Sequence, residues 1–191
     1  MFTREITSEV EVRLSLPYYA DEIFALMEDN RNFLRQWLPW IDGTKSADDT
    51  REFIREQLHR FARSEALHVT IFYNGSIAGV AGFNQIDTTN GIGYVGYWLA
   101  EKYNGKGIMT QVVSDLISIG RDELNLQKID IRCATDNHKS RAIPERLNFS
   151  HEGTLRRAEK VYDRWMDHEI YALLLTNSEP SSAGYSIGDN E

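Results

Sequence analysis

The chain has 191 residues, 41% hydrophobic and 11% aromatic, the composition of one folded globular domain rather than of a disordered segment. Its 29 acidic and 21 basic residues leave a formal charge of -8, which argues against a sequence-independent nucleic-acid binder, since such proteins need a basic face. The single cysteine, Cys133, excludes an internal disulfide framework and any multi-thiolate metal site. The start, MFTREITSEVEVRL, shows no apolar leader, and no run reaches the ~18 apolar residues of a membrane helix. The expectation is a cytoplasmic single-domain protein.

In chain order, Val10 to Leu16 alternates apolar and polar residues strictly, the pattern of a half-buried strand. Pro17 ends it and serves a following helix in which Ile23, Phe24 and Met27 recur at helical spacing. The aromatic stretch Asn30 to Trp40, broken by Pro39, predicts a short helix and then a loop. Ser46 with Asp48 and Asp49 predicts a capped helix running to about Ser64, with Phe53, Ile54, Leu58 and Phe61 on one face. Leu67 to Tyr73 and Ile77 to Phe83 are β-rich runs joined by Asn74-Gly75, the strongest short hairpin signal. Asn90-Gly91 marks a turn before a strand over Ile92 to Leu99. Gly105 to Leu124 predicts a long helix, Ile129 to Ala134 a strand buried on both faces, and Ser140 to Leu147 a short helix. Strands around Ser150–Ala158 and His168–Leu175 follow. The order β-α-α-β-β-β-α-β-α-β-β defines an α+β domain over 1–176, with about 6–7 strands in a mixed, mostly antiparallel sheet flanked by helices; 177–191 has the composition of a disordered tail.

Two glycine clusters invite opposite readings. Gly91-Ile92-Gly93-Tyr94-Val95-Gly96 fits the dinucleotide fingerprint literally, but Tyr97-Trp98-Leu99 continues a strand where that motif requires a helix N-terminus, so it is read as turn and strand. Lys102-Tyr103-Asn104-Gly105-Lys106-Gly107-Ile108-Met109-Thr110 instead joins a strand to a long helix. Glycines there clear side chains from where backbone N–H groups approach an anion, the helix start adds unpaired donors, and Lys102 and Lys106 add charge. The alternative is a flexible turn carrying two solvated lysines.

Lys102 to Gly107 reads K-x-x-G-x-G and resembles the Q/R-x-x-G-x-G/A signature of the GNAT superfamily of N-acetyltransferases, with Lys in place of Gln or Arg. Asn137-His138-Lys139-Ser140-Arg141-Ala142, followed by Asn148-Phe149 and Glu152-Gly153, is similar to the family's N-x-x-S-x-A…G-F…E-G segment. Asn148 stands where Gly is usual, and Asn tolerates the positive φ of such a turn. Leu34 to Trp40, Gly96-Tyr97-Trp98-Leu99 and Gly107-Ile108-Met109-Thr110 resemble the Rim-type branch, which acetylates the N-terminal α-amine of ribosomal proteins.

The resemblance implies acetyl-CoA as donor, held by Leu99, Lys102, Gly105, Lys106, Gly107, Ile108, Met109, Thr110 and Asn137. It also implies direct transfer to a primary amine, with a protein N-terminus as acceptor partner and a homodimer as the possible assembly. Ser140 matches the serine that protonates the leaving thiolate; an N-cap is its alternative, as an ordinary turn is for Asn137. Many relatives place a Glu on the strand before Gly-Tyr-Trp, where this chain has Tyr94, which cannot serve as a base at neutral pH without a large pKa shift. Ala158-Glu159 matches the base position of the serine-acetylating enzymes; a solvated acid beside Arg156, Arg157 and Lys160 is its alternative, and Glu152 its nearest competitor. Trp37, Trp40 and Phe33 line an acceptor entrance, a dimer contact or a core. His59, His68, His138, His151 and His168 lack metal-ligand spacing, so no metal is expected. Small-molecule amines, or a silent acyl-CoA sensor, are the competing functions.

Overall fold

The computed structural model describes residues 3–175. The 177–191 tail expected from composition lies outside the described residues. Eight strands form one sheet: β1 (Thr3–Glu5), β2 (Val10–Leu14), β3 (Leu67–Tyr73), β4 (Ser76–Asp87), β5 (Ile92–Leu99), β6 (Lys128–Ala134), β7 (Ser150–Val161) and β8 (Arg164–Leu174). Five helices flank it: α1 (Ala20–Asp29), α2 (Arg31–Leu34), α3 (Ala47–Ala62), α4 (Ile108–Asp122) and α5 (His138–Arg146). The sheet order is β1-β2-β3-β4-β5-β6-β8-β7, with β5 and β6 the parallel pair.

The α+β class and the mixed, mostly antiparallel sheet match expectation, but the strand count rises to eight. The added strand is β1: its three residues, Thr3 to Glu5, are too few to show a period, and pairing with Arg13 to Glu11 makes them a strand. The last two strands are also longer than predicted, since Val161 and Arg164 close a β7–β8 hairpin through Tyr162, at φ 56.

α3 corrects half of the predicted helix face. Ile54 and Leu58 pack inward as expected, joined by Thr50 and Gln57, while Phe53 and Phe61 are exposed. The helix packs on α1 through the Ile54 side, and its period-3.6 stripe is rotated by about one position from the aromatic one. Its start is as read: Ser46 Oγ accepts from Asp49 N, and Asp49 caps the Ser46 N–H in return.

Alternate strand residues divide the core. Val69, Ile71, Phe83, Ile129 and Ile131 meet the apolar side of α4, including Ile108, Val112 and Leu116. Phe72 and Ile77 meet α1 and α3 on the opposite face. Each fully buried aliphatic contributes about 1.5–3 kcal/mol, so α4 is held rigidly against the middle of the sheet.

The parallel β5–β6 pairing stops at Val95 opposite Ile131. β5 nevertheless continues to Leu99 and β6 to Ala134, so the two strands part and open a wedge at their C-terminal ends. The carboxyl ends of parallel strands are where open α/β sheets bind ligands, and this wedge positions the site.

Candidate active site

The loop before α4 is built on backbone conformation. Gly105 and Gly107 both take left-handed φ, 77 and 76. A Cβ on either would meet nothing within 4 Å, so these glycines leave open space above the chain. Gly107 is the N-cap of α4 and, among the described residues, no side chain caps that terminus, whereas Ser46 caps α3 and Asn137 caps α5. Its first-turn N–H groups therefore point at solvent with the positive end of the helix dipole.

Lys102 lies 4.9 Å over the ring of Tyr103, and Lys106 lies 5.0 Å from the ring of Tyr73, which keeps both cations beside the loop. One further cation at this loop has no signal in the sequence. Arg146 at the end of α5 donates to Thr110 Oγ1 at 3.0 Å, beside the α4 N-terminus, and only the folded α4–α5 contact reveals it. Ile108 is buried, so its backbone alone is available there, and the Thr110 hydroxyl is already engaged by Arg146.

Two clefts run from the wedge. A cleft of about 420 Å³ is lined by Leu99, Asn104, Met109, Asn137 and Ser140. A larger cleft, about 710 Å³, reaches across the sheet past Tyr94, Gly96, Arg132, Glu159 and His168 to the buried His68. Ser140 and Asn137 belong to both and stand where the clefts meet.

Ser140 is not the helix cap. Asn137 fills that role, its Oδ1 accepting from Ser140 N at 3.1 Å. The Ser140 hydroxyl is left free to donate to Tyr97 Oη at 3.3 Å, and Tyr97 in turn donates to Ser140 O at 3.2 Å. Burial pushes the Tyr97 phenol well above its ordinary value, so it stays protonated and acts as a fixed dipole. α5 is pinned behind Ser140 by Arg141, which donates to Thr135 O at 3.0 Å and to Tyr171 Oη at 3.1 Å.

Of the sequence candidates for a base, Glu159 faces the larger cleft, in contact with His168 Nε2 at 3.3 Å. Among the described residues it has no ion pair with Arg156, Arg157 or Lys160. Glu152 is held elsewhere, accepting from Lys128 Nζ at 2.8 Å, and does not line either cleft. Tyr94 lies on the cleft floor, with Arg132 5.5 Å over its ring. Cys133 is buried, and burial pushes its thiol up to about 11, which keeps it un-ionised and poorly nucleophilic.

The aromatic cluster lines the roof. Trp37 packs on Ala134, Val161 and Met166, and Trp40 is exposed at the rim. Tyr162 in the β7–β8 turn donates to Asp42 at 2.8 Å and accepts from Arg35 at 3.0 Å, tying the segment after α2 to that turn. No group of His, Cys, Asp and Glu among the described residues could hold a metal ion, and no helix among them is long and apolar enough to cross a membrane.

The two clefts meet at Ser140, and the smaller runs toward the uncapped start of α4, an arrangement that suits group transfer from an anionic donor to a separately bound acceptor. The model of the acetyltransferase (GNAT) domain matches residues 12–150, and the chain belongs to this family of N-acetyltransferases, which take acetyl-CoA as donor. The relative named "putative ribosomal N-acetyltransferase YdaF", of Bacillus subtilis, is 34% identical over 91% of this chain and 96% of its own. The structure of RimL, the ribosomal L7/L12 α-N-protein acetyltransferase, in complex with coenzyme A, superposes with a TM-score of 0.88 at 28% identity, covering 91% of this chain and 98% of that one. The microcin C7 self-immunity acetyltransferase MccE, in complex with acetyl-CoA and AMP, superposes with a TM-score of 0.85 at 31% identity, covering 89% and 94%.

Proposed function

We propose that this chain acetylates the N-terminal α-amino group of a protein, a ribosomal one by the similarity to YdaF and RimL, by direct transfer from acetyl-CoA. The observation that carries the reading is the position of Ser140 at the junction of the two clefts. The smaller cleft, continuous with the Gly105–Gly107 loop through Asn104 and Met109, takes the donor; the larger takes the amine. The first-turn N–H groups of α4, with Lys102, Lys106 and Arg146, neutralise the pyrophosphate, and Leu99, Met109 and Asn137 hold the arm.

An α-amine, with a pKa of about 7.7–8.0, is already about a tenth neutral near pH 7, whereas lysine at about 10.4 is neutral less than about once in a thousand. One carboxylate is therefore enough of a base. Glu159 takes the ammonium proton directly or through water, the freed amine attacks the thioester carbonyl, and as the C–S bond breaks the second proton of the attacking nitrogen passes through the Ser140 hydroxyl to the departing thiolate, which leaves the serine neutral. The roles fit a cytoplasmic enzyme acting on newly made proteins.

A second reading has its own support. The larger cleft continues to His68, Gln57 and Thr50, deep enough for a small molecule, and MccE binds a nucleotide. A panel of free-N-terminus peptides, polyamines, aminoglycosides and aminoacyl nucleotides, followed by acetyl-CoA consumption, tests both. The proposal expects kcat/KM to be highest for a peptide, and a small amine exceeding every peptide would overturn it. Ser140→Ala is expected to lower kcat about 10- to 100-fold with KM for acetyl-CoA unchanged.

A further inference from the structure

The β7–β8 ladder contains an irregularity whose effect falls on the proposed base. Leu155 pairs with His168, yet Glu159 pairs with Met166, so four residues advance on β7 against two on β8. The two extra residues keep Glu159 on the same face of the sheet and bring it beside His168. In a regular ladder Arg157 would face Met166, and Glu159 would sit two residues farther along, opposite Arg164. The bulge is fixed by Arg157, which takes a left-handed φ of 51 and donates its backbone N–H to Asp167 Oδ1 at 2.7 Å. It thus exchanges an arginine for a glutamate next to the imidazole.

We propose that His168 is a proton-sharing partner of Glu159, so that the base of the reaction is the Glu159–His168 pair rather than the carboxylate alone. The inference rests on Glu159 being the base. Its geometry is direct: Nε2 and Oε2 are 3.3 Å apart, both groups line the larger cleft, and the imidazole side chain is 19% exposed. Among the described residues neither group has another hydrogen bond or ion pair. Pairing with a permanent cation would hold the carboxylate ionised and weaken it as a base, whereas an imidazole can accept the proton that the carboxylate collects.

The step balances. The acceptor R–NH₃⁺ gives one proton to a Glu159 oxygen, and that proton passes to the lone pair of His168 Nε2. The products are R–NH₂, whose lone pair attacks the thioester, and an imidazolium facing a carboxylate. The imidazolium returns its proton to water before the next turnover.

Other charged groups on the surrounding elements are Arg132 and the buried Asp130 on β6, the latter paired with Lys128 Nζ at 3.1 Å, Arg156, Arg157 and Lys160 on β7 and Arg164 on β8, the last lying 5.7 Å over the Trp37 ring. None is within ion-pair distance of either member. Asp167 and Glu169 alternate to the opposite face, Asp167 engaged by Arg157 N and Glu169 by Thr135, Thr154 and His151.

The test is the pH dependence of kcat at saturating acetyl-CoA and saturating best acceptor from the panel above, for wild type, H168Q, H168V and E159Q. Both His168 variants are expected to lose about 10-fold or more in kcat at pH 7.5, with the acidic limb of the profile moved to lower pH. KM for acetyl-CoA is expected to stay within about twofold, and thermal melting confirms the fold; the polar and apolar replacements make two independent readings. Wild-type kcat and acidic limb in a folded His168 variant, with E159Q crippled, overturn the pair and leave Glu159 as a lone base. A wild-type profile in E159Q overturns the base assignment itself.

Discussion

Placing a carboxylate at position 107 separates anion binding from folding. Gly107 has φ 76, and a Cβ there meets no atom within 4 Å, so Gly107→Asp is opposed by backbone conformation and not by packing. A non-glycine residue in the left-handed region costs about 1–2 kcal/mol, a few degrees in melting temperature for a domain of this size. The effect on the donor is larger. At about 5 Å and an effective dielectric of about 20, each pyrophosphate charge is repelled by about 3 kcal/mol. Screening by physiological salt leaves roughly half of that, so two charges weaken binding by about 3 kcal/mol, on the order of 100-fold in Kd. Gly107→Ala carries the same backbone cost without the charge, and titration calorimetry with acetyl-CoA on both variants isolates the electrostatic part. Near-wild-type affinity in Gly107→Asp would refute the placement of the pyrophosphate at the α4 N-terminus.

Other expectations follow from packing and titration. Gly79→Ala puts a Cβ 2.2 Å from the Trp98 carbonyl oxygen, so β4 and β5 must separate; urea denaturation is expected to show a loss of about 3 kcal/mol or more. Asn137→Ala removes the α5 cap at a cost of about 1 kcal/mol and loosens the turn that sets Ser140, so kcat is expected to fall more than stability does. Burial, with a smaller contribution from Arg60, lowers His68 to about 4. The unfolded imidazole titrates near 6.5, so the stability this group contributes is complete above that pH and is lost as pH falls toward 4, about 2 kcal/mol of it between pH 6.5 and 5. His68→Gln is expected to remove this slope from urea titrations across that window.

Local elements were legible because their chemistry is local. The hairpin at Asn74-Gly75 forms with φ 49 and 77, as that dipeptide dictates, and Asn148 takes φ 60 in the turn where glycine is usual in the family. The glycine loop was readable for the same reason: left-handed φ and missing Cβ atoms are properties of the residues themselves. The inward face of α3 was readable only at its centre, Ile54 and Leu58; its edges were not, since Phe53 and Phe61 outrank Thr50 and Gln57 in hydrophobicity and only the position of α1 and the sheet decides which side is buried. The identity of the α5 cap was ambiguous too, as both Asn137 and Ser140 are good cap residues and only the turn geometry chooses between them.

The opening charge balance divides along the same line. Residues 101–160 hold 11 basic and 9 acidic residues against 10 and 20 in the remaining 131, so the sequence alone locates the positive charge where a phosphate-rich donor would bind. It also determines the element order, the anion-binding loop and the absence of any thiolate cluster, because each depends on residue type and short spacing. Where the wedge opens, that Arg146 reaches Thr110, and that a bulge sets Glu159 against His168 were decided by tertiary structure. Those contacts join residues separated by up to dozens of positions, and a register shift of two leaves no mark on the alternation of a strand.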